Sequence, residues 1–410
     1  MTSESIFTEL ELMQARIRFV PDGWAFSNIG NVFNICNNLR KPINEDERGK
    51  NLGEFPYYGP TKIQGYIGTY EQDGSYALIG EDGDHFLKFE TQSMTQLVDG
   101  KCTVNDHAHI LEGTKRATRE WFYYYFMHRD IFSFLSRQGA GRYKLNKASL
   151  EKIPLLVPPL PEQKKIAQIL STWDKAITTT EQLLANSQQQ KKALMQQLLT
   201  GKKRLKGFSG EWKTVKLGRI TEKVGSGITP TGGSSVYTSS GIPFIRSQNV
   251  LWGKLDFSDI AYINDSQHKK MSGSSVLPND VLLNITGASI GRCCTVPGKL
   301  KTSNVNQHVC IIRPKKGIGS DYLKFFLLSH YGQKQIEQFQ AGGNRQGLNF
   351  EQIKSFKIHI PELEEQQKIA AVLSAADCEI EVLQQKLEGL KQEKKALMQQ
   401  LLTGKLRVKV

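Results

Sequence analysis

Two stretches of the chain carry an apolar stripe whose spacing alternates between four and three residues. The first stripe consists of Ile166, Leu170, Trp173, Ile177, Thr180, Leu184, Ser187, Lys191, Leu194 and Leu198. The second consists of Ile369, Leu373, Ala376, Ile380, Leu383, Leu387, Leu390, Lys394, Leu397 and Leu401. Such an alternation, sustained over this length, is typical of a coiled-coil seam. We therefore predict two long helices whose stripes form the interface of a helix pair.

The ends of both helices are marked in the sequence. Pro161 and Pro361 lie at the starts, where proline is tolerated, and Gly201 and Gly404 follow the ends, where a left-handed residue is often required. Each predicted helix has about 40 residues and is therefore roughly 60 Å long. An antiparallel pair would form a rigid rod with a globular part at each end. The alternative is that each helix dimerises with another molecule.

The helices belong to a long internal repeat. Residues 158–202 align without a gap with 361–405, and KKALMQQLLTGK occurs at 191–202 and again at 394–405. Repeats of this length are too long for a solenoid, whose units have ~20–50 residues. The chain is predicted to contain two copies of a unit made of a globular domain and a helix.

A lysine occupies the same seam position in both copies, Lys191 in the first and Lys394 in the second. A polar seam residue can fix the register of a coiled coil. A lysine can also lay its stem on an apolar surface and keep its ammonium group in water. We favour the second interpretation.

The rest of the chain forms two modules with short β-like runs and many glycines. Strands are predicted over 76–80, 107–111, 242–250, 281–287 and 308–314. The fold class is α+β, with two mixed modules separated by long antiparallel coiled-coil helices in a pseudo-two-fold repeat. The predicted divisions are an N-terminal helical segment (1–20), a first module (21–157), a central helical region (158–207), a second module (208–360) and a distal helical region (361–410).

The two modules are related, but they have diverged more than the helices. Val104-Asn105-Asp106-His107 in the first module corresponds to Val305-Asn306-Gln307-His308 in the second. We expect His107 and His308 to be core residues of strands. The two helices kept similar sequences while the modules diverged. We therefore expect the two modules to recognise different targets.

Composition favours a polyanionic partner. The 410 residues carry 54 Lys and Arg against 40 Asp and Glu, a formal net charge of +14. Such an excess favours nucleic acid. The six cysteines form no CxxC pair, so we predict neither a zinc site nor a disulfide framework. No signal peptide and no run of 18 apolar residues occurs, so a soluble, cytoplasmic protein without membrane contact is expected.

The usual sequence motifs of catalysis are missing. Thr200-Gly201-Lys202 ends like a phosphate-binding loop, but Gln196 occupies the position of its first glycine. The histidines form no HExxH pair. We therefore predict no catalytic residue, no metal site and no cofactor bound by this chain.

Polar and basic residues in predicted loops could contact DNA. Arginine can bind guanine O6 and N7, asparagine or glutamine can bind adenine N6 and N7, and other cations bind phosphates. A solvated surface charge is the alternative for each single position. The candidates are Lys62, Gln64, Arg142, Lys144 and Asn146 in the first module, and Arg246, Gln248, Asn249, Arg292, Asn344, Arg345 and Gln346 in the second.

Several segments together resemble the specificity subunit of Type I restriction–modification systems. They are SGITP (226–230), SGIPFIRSQNV (240–250), LLNITGASIGR (282–292), NVNQHVCIIRP (304–314) and GGNRQGLN (342–349), followed by IPELEEQQKIAAVL (360–373). PPLPEQKKIAQIL (158–170) repeats this last junction in the first half. The resemblance covers nearly the whole chain. The first module departs from the pattern, with FPYYGPTKIQGYI (55–67) in place of the second module's IPFI segment.

The resemblance implies a fold of two target recognition domains and a function in DNA recognition. Each domain would bind one half of a split, asymmetric site in double-stranded DNA, and the helices would set the spacer. Two methyltransferase subunits would dock on the helices, and two restriction subunits with motor and nuclease activity would join them. S-adenosylmethionine, ATP and Mg²⁺ would bind to those partners, and the methylated base would be adenine. A stand-alone, sequence-specific DNA-binding regulator is the alternative.

Overall fold

The computed structural model describes Ile17 and residues 19–138, 142–230, 232–340 and 347–410. The predicted N-terminal helical segment (1–20) falls almost entirely outside these residues. The chain divides into two compact units, one formed by residues 1–181 with 386–410 and the other by residues 182–385. Each unit therefore contains one module together with a segment of each long helix.

Among its described residues, the first module has ten strands and four short α-helices, and it leads directly into a long helix. The strands are β1 (Ala25–Asn28), β2 (Asn34–Ile35), β3 (Leu52–Tyr58), β4 (Ile63–Ile67), β5 (Gln72–Gly80), β6 (Thr95–Val104), β7 (Ala108–Glu112), β8 (Ser136–Gln138), β9 (Arg142–Lys144) and β10 (Pro154–Val157). The helices are α1 (Ile29–Val32), α2 (Glu45–Lys50), α3 (Arg119–Phe126), α4 (Lys147–Lys152) and the long α5 (Leu160–Leu198).

A mixed six-stranded sheet forms the centre of this module, in the order β2-β7-β5-β6-β3-β4. Strands β3 and β6 are parallel, and the other neighbours are antiparallel. The first strand of the module, β1, pairs with the last, β10. Because β10 ends at Val157, this pairing fixes the point at which the chain leaves the module and enters α5.

The second module repeats this plan and leads into the second long helix. Its strands are β11 (Lys213–Lys216), β12 (Thr221–Ser226), β13 (Ile242–Ile245), β14 (Ala261–Ile263), β15 (Ser275–Val276), β16 (Val281–Asn284), β17 (Cys293–Thr295), β18 (Ser303–Val305), β19 (Val309–Pro314) and β20 (Lys357–Ile360). The helices are α6 (Asp265–Lys270), α7 (Ser320–Leu328), α8 (His330–Gln338), α9 (Phe350–Ser355) and the long α10 (Leu363–Leu401).

Here two four-stranded sheets take the place of the single central sheet. Their orders are β12-β19-β16-β17 and β14-β13-β18-β15. The first and last strands, β11 and β20, again pair antiparallel just before the long helix. The α+β class is therefore confirmed. The prediction of a strand over 242–250 is wrong beyond Ile245, because Ser247–Asn249 forms a 3₁₀ turn.

The long helices carry the predicted seam. Each has 39 residues, which corresponds to about 58 Å. All twenty stripe residues named above are buried or half-buried, and none is exposed. In the first unit Ile166 and Leu170 of α5 share a core with Leu401 of α10. In the second unit Leu198 shares one with Ile369 and Leu373.

Polar contacts across the seam give the direction of the pair within each unit. In the first unit Asp174 contacts Lys394 and Glu181 contacts Lys391. In the second unit Ser187 contacts Glu379 and Lys191 contacts Asp377. As the residue numbers of the contacting side chains increase along α5, those of their partners decrease along α10. The helix segments are therefore antiparallel in both units.

The two seam lysines are ion-paired across the helices, so the preferred interpretation of a lysine reaching for water is wrong. Lys394 Nζ lies 2.5 Å from Asp174 Oδ1, and the exposed fractions of the two side chains are 11% and 35%. Tyr124 donates to the other Asp174 oxygen at 2.8 Å. The pair of Lys191 and Asp377 is the equivalent contact of the other unit. A partly buried charge requires its partner, so these pairs select one register of the helices.

A buried carboxylate at the start of each long helix joins three parts of its unit. Glu162 is 3% exposed. It accepts from Trp24 Nε1 at 2.7 Å and from Arg407 Nε and Nη2 at 2.7 and 3.0 Å. Glu365 is the equivalent residue and accepts from Trp212 and from both Nε and Nη2 of Arg204. In both units the arginine follows the end of the antiparallel helix, after Gly201 (φ +70°) or Gly404 (φ +69°).

Substitution of the seam aspartates tests the register pairs. Asp174→Ala is expected to lower the free energy of local opening of the first unit's helices by about 1–3 kcal/mol, because Lys394 loses its partner in a largely buried position. Asp377→Ala should cost less, because both partners are more exposed (22% and 40%). Hydrogen exchange of the helix amides measures both effects.

The exposed Glu388 of α10 supplies a matched control. Glu388→Ala should change the same amides by no more than about 0.5 kcal/mol. An Asp174→Ala variant with the exchange pattern of this control would contradict a role for the ion pair in helix register.

Candidate nucleic-acid interface

The end of strand β16 gathers three loops of the second module. Asn284 N donates to Arg292 O at 2.8 Å, and Ile285 N donates to His308 O at 3.0 Å. Leu348 N donates to Ile285 O at 2.9 Å, and Thr286 forms an isolated bridge with Gly347. Three consecutive residues therefore hold the loops around 292, 308 and 347 against one strand end.

The same strand end also holds the 3₁₀ turn that follows β13. Asn284 has no exposed surface, and its side-chain amide donates to Ser247 O at 2.8 Å and to Val250 O at 3.3 Å. A buried amide that bonds to backbone carbonyls fixes the path of a loop that has no ladder of its own. Arg246 and Gln248, two of the predicted DNA contacts, are thereby brought next to the loop that carries His308.

The turn 306–308 connects β18 to β19 at this place. Asn306 shapes it by accepting from His308 N at 3.1 Å. His308 Nδ1 lies 2.6 Å from Thr286 Oγ1, and its Nε2 lies 3.1 Å from the amide nitrogen of Gln307. The expectation of a core histidine in a strand is wrong, because His308 belongs to a turn and its side chain is half-buried.

The first module repeats this hydrogen-bond frame with other side chains. Glu81 N donates to His107 O at 2.8 Å, and Leu145 N donates to Glu81 O at 2.7 Å. Asp82 forms the isolated bridge with Lys144. These bonds match those made by Ile285 and Thr286 in the second module, one for one. The backbone frame is therefore common to both modules, whereas the side chains on it differ.

His107 is the counterpart of His308, and its assignment to the core is also wrong. Asn105 Oδ1 accepts from His107 N at 2.9 Å, as Asn306 does in the other module. The His107 side chain is 48% exposed, and its Nδ1 lies 3.0 Å from Asp82 Oδ2. A carboxylate thus takes the place that the Thr286 hydroxyl has in the second module.

Beneath this turn the first module contains a compact charge network. Glu81 contacts Arg40 Nη1 at 2.5 Å and Lys144 Nζ at 3.2 Å. Burial acts to raise the pKa of Glu81, but the hydrogen bond from Arg40 and the neighbouring cations outweigh it and lower the pKa. His109 is buried and bonds to Leu145 O, and burial lowers its pKa. The Glu81 carboxylate therefore stays ionised and neutralises part of the positive charge.

Of the candidates in the first module, two are exposed close to the turn. Lys62 and Gln64 are exposed, and Gln64 Oε1 accepts from Asn105 Nδ2 at 3.2 Å. Lys144 is ion-paired with Glu81. Asn146 caps α4 by accepting from Ser149 N. Arg142 lies in β9, where only its backbone is described.

In the second module Arg246 and Gln248 both reach Asp259. Arg246 Nη2 lies 2.9 Å from Asp259 O, and Gln248 Nε2 lies 2.5 Å from Asp259 Oδ2. Gln248 is exposed, and Arg292 is half-buried. The predicted contacts Asn344, Arg345 and Gln346 lie outside the described residues.

Asn249 is buried, with 1% of its surface exposed, which contradicts the prediction of a DNA contact there. Its side chain accepts from Arg246 N at 3.0 Å and donates to Asp256 O and Asp259 O at 3.1 Å each. All three bonds hold the loop that presents Arg246 and Gln248. Asn249 therefore shapes the site from beneath.

The turns 105–107 and 306–308, where the loops of each module meet, were not among the DNA contacts predicted from the sequence. The signal was the repeated pattern Val-Asn-x-His at 104–107 and 305–308. An Asn side-chain oxygen that accepts from the backbone N–H two residues later is typical of an Asx turn.

Among the described residues no group of His, Cys, Asp and Glu could hold a metal ion. Within the same residues, no helix has the length and apolar character needed to span a membrane.

Replacement of Asn249 tests its structural role. Asn249→Ala leaves the backbone N–H of Arg246 and the carbonyl of Asp256 without partners and removes one of the two bonds to the carbonyl of Asp259. The free energy of unfolding of the second unit should therefore fall by about 2–4 kcal/mol. Gln248→Ala, at the exposed neighbouring position, should change it by less than about 0.5 kcal/mol. Hydrogen exchange of residues 244–260 measures both, and equal stability of the two variants would contradict the assignment.

The chain matches known proteins along most of its length. The family model of the Type I restriction modification DNA specificity domain matches it twice, over residues 21–186 and 209–392. It is similar to the putative type I restriction enzyme MjaX specificity subunit of Methanocaldococcus jannaschii, with 27% identity over 98% of both chains. It is also similar to the putative type I restriction enzyme specificity subunit S.HindORF215P of Haemophilus influenzae, with 29% identity over 91% of both.

A solved structure has the same fold. The S subunit of the Type I restriction–modification system from M. genitalium has a TM-score of 0.66 and 14% identity, and the match covers 94% of this chain and 97% of that one. At this identity the likeness concerns the fold alone. The two matches to the family model cover most of the chain, so this chain belongs to the family of Type I restriction–modification DNA specificity proteins and carries two copies of its specificity domain.

Proposed function

We propose that this chain is the DNA sequence-specificity subunit of a Type I restriction–modification complex. Each module binds one half of a bipartite, asymmetric site in double-stranded DNA. The observation that carries the proposal is the pair of specificity-domain copies, over residues 21–186 and 209–392. The retained helices and the diverged modules agree with one assembly that holds two different recognition elements.

The common hydrogen-bond frame supports recognition of two different half-sites. The frame gives each module an exposed turn at the same place, but Asp82 and Lys144 in the first correspond to Thr286 and Gly347 in the second. DNA sequence is distinguished by donors and acceptors at base edges. Different side chains on equal frames therefore favour an asymmetric site.

The basic excess supplies affinity without sequence choice. A net charge of +14 attracts the phosphate backbone. The proposed contacts to DNA among the described side chains remain Lys62, Gln64, Lys144 and Asn146 in the first module and Arg246, Gln248 and Arg292 in the second. Phosphate contacts set the position of a protein on DNA, and base contacts determine which sequence it recognises.

Catalysis is assigned to partner subunits. Two methyltransferase subunits dock on the long helices, which also set the unread spacer, and two restriction subunits complete the complex. The methyl donor S-adenosylmethionine, as well as ATP and Mg²⁺, bind to these partners. The target adenine is flipped into the methyltransferase pocket at a cost of a few kcal/mol, which contacts with DNA offset.

A methylation map of the host genome tests the proposed function. Long-read sequencing should detect one split, adenine-methylated motif that disappears when this gene is deleted and returns when it is restored. The control is a deletion strain that expresses the chain without residues 208–360, which should not restore the motif.

An unchanged map after deletion, with the neighbouring genes intact and expressed, would contradict the proposal. Tight, sequence-specific binding of the purified chain in the absence of any partner would then support a stand-alone DNA-binding regulator.

A further inference from the structure

We infer that the residue at the tip of the shared turn determines a base in each half-site: Gln307 selects adenine in the second module, and Asp106 occupies the equivalent position in the first. This inference rests on the proposed function and adds the residues that determine which base is recognised. The turn 306–308 connects β18 to β19, and the turn 105–107 connects β6 to β7. In both, the middle residue is exposed.

The amide of Gln307 is held from two sides. Its oxygen accepts from the Thr229 hydroxyl, and its nitrogen lies 3.1 Å from His308 Nε2. His308 is itself fixed by Thr286, whose Oγ1 lies 2.6 Å from His308 Nδ1. A long exposed side chain normally loses rotamer freedom on binding, which costs entropy. Because these contacts already restrict the Gln307 side chain, that entropic cost of binding is smaller.

The contacts leave the groups that recognise adenine free. A glutamine amide has two N–H donors and two oxygen lone pairs. His308 uses one donor and Thr229 uses one lone pair, so one N–H and one lone pair remain. This is the pattern that binds adenine N7 and N6 together in the major groove. His308 therefore acts as a positioning residue, and Gln307 is the group that contacts the base.

The surroundings of the turn agree with a binding surface. Gly227 N donates to Asn306 O, and a Cβ at Gly227 would lie 1.7 Å from Val305 O, so the backbone of this loop packs directly against the turn. Asn306 N donates to Ile245 O, so the loop that begins at Arg246 starts beside the turn 306–308. A rigid backbone support beneath an exposed side-chain amide is suited to specific recognition.

The first module has acceptor chemistry at the same position. Asp106 is 51% exposed and lies 3.8 Å from His107 Nε2, measured from its Oδ1. Its backbone oxygen accepts from Arg40 Nη1 at 2.9 Å, so this turn is braced as well. An ionised carboxylate only accepts hydrogen bonds, and at base edges it pairs with the amino group of cytosine. The two modules should therefore differ at the base that faces the tip.

Methylation maps of tip variants in the complete host system test the inference. Gln307→Glu keeps the size and the acceptor but removes the N–H donor. It should relax or change one adenine position in one half of the motif and reduce methylation at wild-type sites about tenfold, which corresponds to ~1.4 kcal/mol. The other half and the spacer should stay as in the wild type.

Three further variants make the result decisive. His308→Ala should relax the same base as Gln307→Glu, because it frees the amide. Asp106→Asn should affect one base in the opposite half. Gln338→Glu is the matched control, because Gln338 is an exposed glutamine on α8 of the same module, and it should leave the motif unchanged.

Wild-type motifs at wild-type levels in both Gln307→Glu and His308→Ala would overturn the inference and leave the proposed function intact. If a variant loses all methylation, binding of the assembled complex is measured on duplexes that carry each of the four base pairs at every position of the affected half. Equal loss on all four overturns the inference, and loss confined to the adenine duplex supports it. Absence of any split motif in the wild type contradicts the proposed function itself.

Discussion

The buried carboxylate at the start of each long helix is the contact on which the rest of each unit depends. Glu162 and Glu365 each accept from a tryptophan of the adjoining module and from an arginine that follows the other helix. An ionised group in such a position is stable only while its partners are present. The module, the helix start and the returning chain are therefore held in one arrangement within each unit, and the apolar seam and the lysine–aspartate pairs continue that arrangement along the helices.

This constraint explains how the modules could diverge. The pairing of first and last strands and the buried carboxylate fix where each module joins its helix, and neither involves the exposed turn. The turn instead rests on backbone bonds at the end of β5 or β16, which any side chain can make. Sequence change at Asp82 and Thr286, or at Asp106 and Gln307, therefore alters the chemistry of the surface without disturbing the frame beneath it. Loops on a rigid scaffold are the usual place for such change.

The sequence predicts the helices well and the site poorly, for physical reasons. The seam follows from periodicity, which depends on neighbours three and four positions away, and the glycines after each helix follow from backbone sterics. The partners of Lys191 and Lys394 lie on the other helix, so no local pattern could identify them. Asn249 looks like a polar loop residue until the carbonyls of Asp256 and Asp259 are found around it. Helix α3 (Arg119–Phe126) has only eight residues, five of them buried, so it is too short for a sustained periodic pattern to reveal it in the sequence.

Under the proposed function, two modules with one frame recognise two different half-sites. A chain in which residues 208–360 replace residues 21–157, with both long helices unchanged, tests it directly. A long-read methylation map of a host that carries this chain should show a split motif whose two halves are both the half recognised by the second module, with the wild-type spacer length. Retention of the asymmetric wild-type motif would contradict the account, because the first module would then not be the source of the other half.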